Sequence, residues 1–130
     1  MSVGDAVARN SERYLSWLTE ACSIPSLAED LAGLTAMQEW LEGRFADLEA
    51  PLRRLPYEGA PDALLAEMGA GERTVLVYDH YDVQPVDPIE LWDSRPFQPE
   101  IRDGRLFARG AADNKGDLVA RLAEIGRAHV

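Results

Sequence analysis

The 130-residue chain is 46% hydrophobic and sets 13 basic residues against 23 acidic ones, for a net charge of -10. That composition supplies one modest core, and an acidic surface without a Lys/Arg cluster excludes nucleic acid and anionic membranes as natural partners. The lone cysteine, Cys22, leaves no disulfide framework or thiolate metal site, and neither a signal peptide nor a bilayer-length apolar run is visible, so a cytoplasmic protein is expected.

From about residue 5 to residue 22, Val7, Tyr14, Leu15, Leu18, Ala21 and Cys22 recur at helical spacing among Arg9, Glu12, Arg13 and Glu20. This predicts an amphipathic helix stopped by Ser23-Ile24-Pro25-Ser26. A second helix is expected over residues 29–49, with Leu34, Met37, Leu41, Phe45 and Leu48 on its apolar stripe and Pro51 at its end. Gly33 and Gly43 should each weaken it by about 1 kcal/mol relative to alanine where exposed.

Beyond Pro51 the pattern becomes strand-like over residues 52–55 and 63–68, around a turn at 58–62. Residues 74–78, Thr-Val-Leu-Val-Tyr, are apolar on both faces, which suits a central strand covered by helices on either side. Pro85, Pro88 and Pro96 keep residues 84–96 from regular structure, and Asp103-Gly104 is a two-residue hairpin signal. A glycine-bounded loop, residues 109–116, precedes a helix beginning near Asp117.

The chemistry collects where the apolar strand ends, in Asp79-His80-Tyr81-Asp82. Ligands of open α/β sheets gather outside the carboxyl ends of strands. A neutral imidazole ligates zinc well, and its second ring nitrogen usually donates to a carboxylate. Asp82, two residues beyond His80, projects to the same side of an extended chain. A hydrogen-bonded surface pair is the plainer reading of His-x-Asp alone. In GAADNKG (110–116) the glycines permit a tight loop around Asp113, whose two oxygens could bridge two cations; a helix start capped by Asp113 or Asn114 is the plainer alternative.

HYDVQP and GAADNKG, joined by the W-D-x-x-P-F and D-G-R-L-x-x-R-G framework of residues 92–110, together resemble a zinc-dependent family. It includes carnosine and other dipeptidases, aminoacylases, succinyl-diaminopimelate desuccinylases and glutamate carboxypeptidases; HYDVQP looks like the dipeptidase branch. The resemblance implies a three-layer α/β/α sandwich with a mixed sheet, truncated here, and hydrolysis of a dipeptide or short peptide by water activated between two zinc ions. Carried onto this sequence, it implies that His80 binds one zinc, Asp113 bridges both, and Asp82, counted with the catalytic residues, orients His80. It also implies a cis Asp113–Asn114 bond.

In the family, the general-base glutamate and the remaining ligands follow the GAADNKG segment. The expected substrate is thus a small peptide, or an N-acyl amino acid in the deacylase alternative, and a homodimer is one form open to the parent; a non-catalytic metal-binding or interaction module is the reading from another class. Asp79 departs from the small residue many members carry before this histidine, and is either solvent-facing or a source of negative potential.

Residues 1–124 are expected to be the N-terminal part of the catalytic domain. Residues 125–130, IGRAHV, are expected to be a non-native read-through tail, because ATC GGA AGA GCA CAC GTC matches the start of a common sequencing adapter. On that reading His129 is not a metal ligand.

Overall fold

The computed structural model describes residues 2–128, so His129 and Val130 lie outside the described residues. Two helices, α1 (Val3–Ser23) and α2 (Leu31–Asp47), are followed by two hairpins, β1 (Leu52–Tyr57) with β2 (Ala60–Ala66) and β3 (Glu100–Arg102) with β4 (Arg105–Phe107), and then by a third helix, α3 (Lys115–Ala128).

Local signals explain most element ends. Ser2 and Asp5 form a capping box at the start of α1, the Ser2 hydroxyl accepting from the Asp5 amide and the Asp5 carboxylate accepting from the Ser2 amide. Pro25 follows its last turn. Asp30 caps α2 by accepting from the Ala32 amide. That helix ends before Pro51, where Glu49 turns the chain at φ 53°. Gly33 is close-packed as well as flexible: a Cβ there would come within 2.1 Å of the Pro25 carbonyl oxygen.

Asp103 and Gly104 both have positive φ, as a two-residue hairpin loop requires. The first hairpin turns more tightly than its composition suggests, pairing Tyr57 with Ala60 around Glu58-Gly59. Pro61 therefore lies inside β2, tolerated because both strands of a two-stranded ribbon are edges.

The core joins Trp17 and Ala21 of α1, Met37 and Leu41 of α2, and Val119 and Leu122 of α3 with Leu48 and Ala50. Arg54 pins the β1–β2 hairpin to α2 through a bidentate contact with Glu42, at 2.6 and 3.0 Å.

The α/β class is as expected, but the sheet differs from the expected mixed sheet. Among the described residues both sheets are antiparallel hairpins, and parallel pairing is limited to the isolated bridge Leu27–Val83. Residues 74–78 pair with no strand; Val75 is 85% exposed and Tyr78 83%, so the predicted buried central strand stands uncovered. A strand is buried by the neighbours that share its ladder and the layers that cover it, and no described segment supplies the ladder here. Between this segment and Leu34, Leu41, Phe45, Leu118 and Leu122 lies an apolar groove of about 660 Å³.

Lys115 is the largest fully buried side chain. Its ammonium donates to the carbonyls of Ala21 (2.8 Å) and Ile24 (2.7 Å) at the end of α1, a helix with no basic residue in its own last turn. Desolvation pulls its pKa down to about 8.

Two outcomes follow from this architecture. Lys115→Ala deletes three buried methylenes, worth about 0.8 kcal/mol each before any cavity term, so a loss of about 3 kcal/mol is expected in urea denaturation. Lys115→Met, which keeps the stem and removes a costly buried charge, should lose less than about 1.5 kcal/mol; equal losses would assign the stability to the ammonium. Replacing Val75 and Val77 together by lysine should reduce concentration-dependent self-association in sedimentation velocity, since a flat apolar edge is what two copies would share; an unchanged profile would place self-association elsewhere.

Candidate metal centre

Past Tyr78 the chain stays extended, and alternation sends His80 and Asp82 to one side and Tyr81 to the other. Tyr81 anchors the segment: its hydroxyl donates to the Asp62 carbonyl (2.9 Å) and accepts from the Gln38 amide (2.9 Å). Ser26 fixes the backbone, its hydroxyl donating to the Tyr81 carbonyl (2.7 Å) and its own carbonyl accepting the Val83 amide (2.8 Å).

The glycine loop arrives from the other side. Gly110 has φ 85°, and a Cβ on it would come within 2.7 Å of Val83 Cγ1. At Gly116 a Cβ would lie 2.3 Å from the Ala111 carbonyl oxygen, so both glycines are fixed by close approach. Arg109 ties the loop to the end of the histidine segment by donating to the Pro85 carbonyl (2.9 Å) while its guanidinium stacks over Trp92. The Trp92 indole donates in turn to the Val86 carbonyl at 2.9 Å. These contacts give the W-D and R-G framework its physical meaning: it holds the two motifs together.

His80 and Asp113, 33 residues apart, meet at 3.1 Å between Nε2 and Oδ1. On the far side of the ring Nδ1 lies 2.9 Å from Asp82 Oδ1. An Nδ1–H donated to Asp82 leaves the Nε2 lone pair facing Asp113, the tautomer a metal-ligating histidine needs. Two donors each about 2.0–2.1 Å from one tetrahedral ion stand about 3.3 Å apart, so this pair fits one edge of a zinc site. The Asp113 side chain is 75% exposed, leaving its other oxygen open to solvent. The Asp113–Asn114 bond is cis, as the resemblance implies.

The donor set is partial. Among the described residues no group of three or more His, Cys, Asp or Glu side chains could hold a metal ion. His80 and Asp113 fit as two donors, one fewer than the three protein ligands usual at a catalytic zinc.

Two residues at the site carry no mark in the sequence, and a third, Asp79, departs from the solvent-facing alternative. Lys115 and Ser26 look like an ordinary surface lysine and a loop serine, and nothing local marks their long-range bonds. Asp79 is neither solvent-facing nor free: its side chain is 11% exposed, accepts from Asn114 Nδ2 at 3.1 Å and lies 4.0 Å from Arg121 Nε.

Known proteins share the pattern of this chain. The pattern of Peptidase family M20/M25/M40 matches residues 76–128, which carry both motifs. The Cys-Gly metallodipeptidase dug1 of Schizosaccharomyces pombe is 29% identical across 93% of this chain and 29% of its own length. A succinyl-diaminopimelate desuccinylase of Xylella fastidiosa (strain M12) is 39% identical across 75% of this chain and 25% of its own. The M20 family metallo-carboxypeptidase Sso-CP2 of Sulfolobus solfataricus superposes with a TM-score of 0.81 at 36% identity, over 88% of this chain and 26% of that one. The chain thus spans between a quarter and a third of the length of these three relatives.

Fold and likeness together define an α/β domain similar to that of known metallopeptidases. Residues 76–128 match the pattern of peptidase family M20/M25/M40, and the chain is similar to members of that family on either side of the match.

Burial alone would lower the His80 pKa, but hydrogen bonds to Asp82 and Asp113 and the Asp82 charge outweigh it and raise the value above 6.5. Because the folded pKa is raised, the stabilising contribution is complete below the unfolded value and is lost as pH rises through the folded one. An NMR titration should place the His80 pKa above that of a model imidazole, and Asp82→Asn should bring it down; no change would show that Asp82 does not govern the ring.

Proposed function

We propose that this chain carries part of a two-zinc peptidase site, and that the protein it represents hydrolyses the amide bond of dipeptides or short peptides. The observation that carries this reading is the meeting of His80 Nε2 and Asp113 Oδ1 at 3.1 Å with Asp82 behind the imidazole. His80 would hold one zinc and Asp113 would bridge two. When bound, the ions supply an activated water and charge stabilisation at the scissile carbonyl.

The chain's own residues do the positioning. Asp82 accepts the Nδ1 proton, fixing ring orientation and tautomer and raising the basicity of Nε2. Asp113, with one oxygen toward His80 and its side chain largely exposed, would be the carboxylate that serves two cations. The bond-breaking steps need a general base and further ligands, which these residues do not provide.

Removal of an acyl group from an N-acyl amino acid is the second reading, favoured by the 39% identity to a desuccinylase. The histidine segment HYDVQP favours the dipeptidase reading. A cytoplasmic setting and a homodimeric parent belong to the same proposal. A non-catalytic metal-binding role stays in play for the chain by itself, because two donors can bind an ion without arranging chemistry around it.

Zinc titration tests the core of the proposal. Zinc should bind weakly, perturb the His80 ring resonances, and bind more weakly as pH falls below the raised His80 pKa, because the proton must leave before the metal enters. Asp113→Ala should abolish the saturable response of the His80 ring, and His80→Ala should abolish zinc binding measured by calorimetry. With zinc and a panel of dipeptides and N-acyl amino acids, the chain alone should show no turnover; robust metal-dependent hydrolysis would overturn its assignment as a partial site.

A further inference from the structure

We propose that Asp79 is a positioning residue for Asp113, acting through the side chain of Asn114; the inference rests on the metal-site reading above. Asp79 immediately precedes His80, yet its side chain turns away from solvent toward the other motif. One carboxylate oxygen takes the Asn114 amide at 3.1 Å and the other faces Arg121 of α3 at 4.0 Å.

Asn114 is the residue after Asp113, and its backbone carbonyl accepts the Leu118 amide at 3.0 Å to open α3. Its backbone is thereby fixed to the helix and its side chain to the segment that carries His80. The two motifs are thus joined by a neutral amide-to-carboxylate bond beside the His80–Asp113 contact, and this bond limits how far Asp113 can swing. A carboxylate at 79 requires a donor opposite it, and an amide at 114 provides one. Arg121 offsets the charge of Asp79, so the residue's effect on the site runs through this bond more than through potential.

A double-mutant cycle read by zinc affinity separates positioning from charge. The probe is zinc alone, titrated into the full chain and followed on the His80 ring resonances, each variant first shown folded by circular dichroism. Asp79→Ala and Asn114→Ala should each weaken zinc binding about tenfold, the lower end of what losing an outer-shell partner costs. The double variant should be no weaker than either single one. Asp79→Asn keeps an acceptor oxygen without the charge and should stay near wild type.

Additive losses, an Asn114→Ala variant that binds zinc normally, or an Asp79→Asn variant as damaged as Asp79→Ala would each overturn the proposal. A wild-type chain that fails to bind zinc would sink the metal-site reading instead. The tie would then be judged on the zinc-free Asp113 carboxyl carbon resonance: a shared, non-additive displacement in Asp79→Ala and Asn114→Ala sustains it, and its absence overturns it.

Discussion

The buried ammonium of Lys115 against the last carbonyls of α1 is the contact on which the placement of the site depends. The end of a helix presents carbonyls that its own backbone cannot satisfy, with a partial negative charge behind them. Here the cation comes from more than 90 residues further along, reaching Ala21 and Ile24 from the first position of α3. Ala21 and Ile24 also accept backbone amides, so the lysine adds a direction more than it rescues orphaned groups. Desolvation of the charge and its two hydrogen bonds are of similar size and opposite sign. What survives that near-cancellation is geometry.

The same corner of the chain holds the other motif. Two residues beyond Ile24, Ser26 takes both the Tyr81 carbonyl and the Val83 amide, so residues 21–26 are the common reference for the segments carrying His80 and Asp113. Gly110 closes the arrangement by admitting Val83 and the Lys115 stem where any side chain would collide. A separation of 3.1 Å between two groups 33 residues apart is therefore the outcome of backbone anchors on a shared helix end.

Residues whose meaning is local were legible in the sequence. The helical stripes, the Pro25 stop, the Asp103-Gly104 turn and the glycine loop each depend on neighbours a few positions away, and the structure contains them, except that Val7 and Leu15 of the first stripe are exposed. His80 and Asp82 share a side because a strand alternates, and that too is local. Lys115, Ser26 and Asp79 act across 35 to 94 residues, through bonds that composition does not encode. The strand at 74–78 failed for a different reason: its sequence states what it would bury but cannot state that a neighbour is present.

That uncovered strand also shows what the site does not need. If hydrogen bonding within a sheet were what placed His80, an unpaired segment with Val75 and Tyr78 in solvent would leave the imidazole without a fixed position. Instead the ring is held from behind by Asp82, the carbonyl of the next residue, Tyr81, by Ser26, and the Tyr81 hydroxyl by Gln38 and Asp62. Each of these anchors lies beyond Tyr78 or on another element. Pairing along residues 74–78 would add burial and cooperativity, while the direction in which His80 faces Asp113 is set by the side-chain and backbone ties at the strand's end. The 3.1 Å approach of His80 and Asp113 is thus set by ties that do not run through strand pairing at residues 74–78.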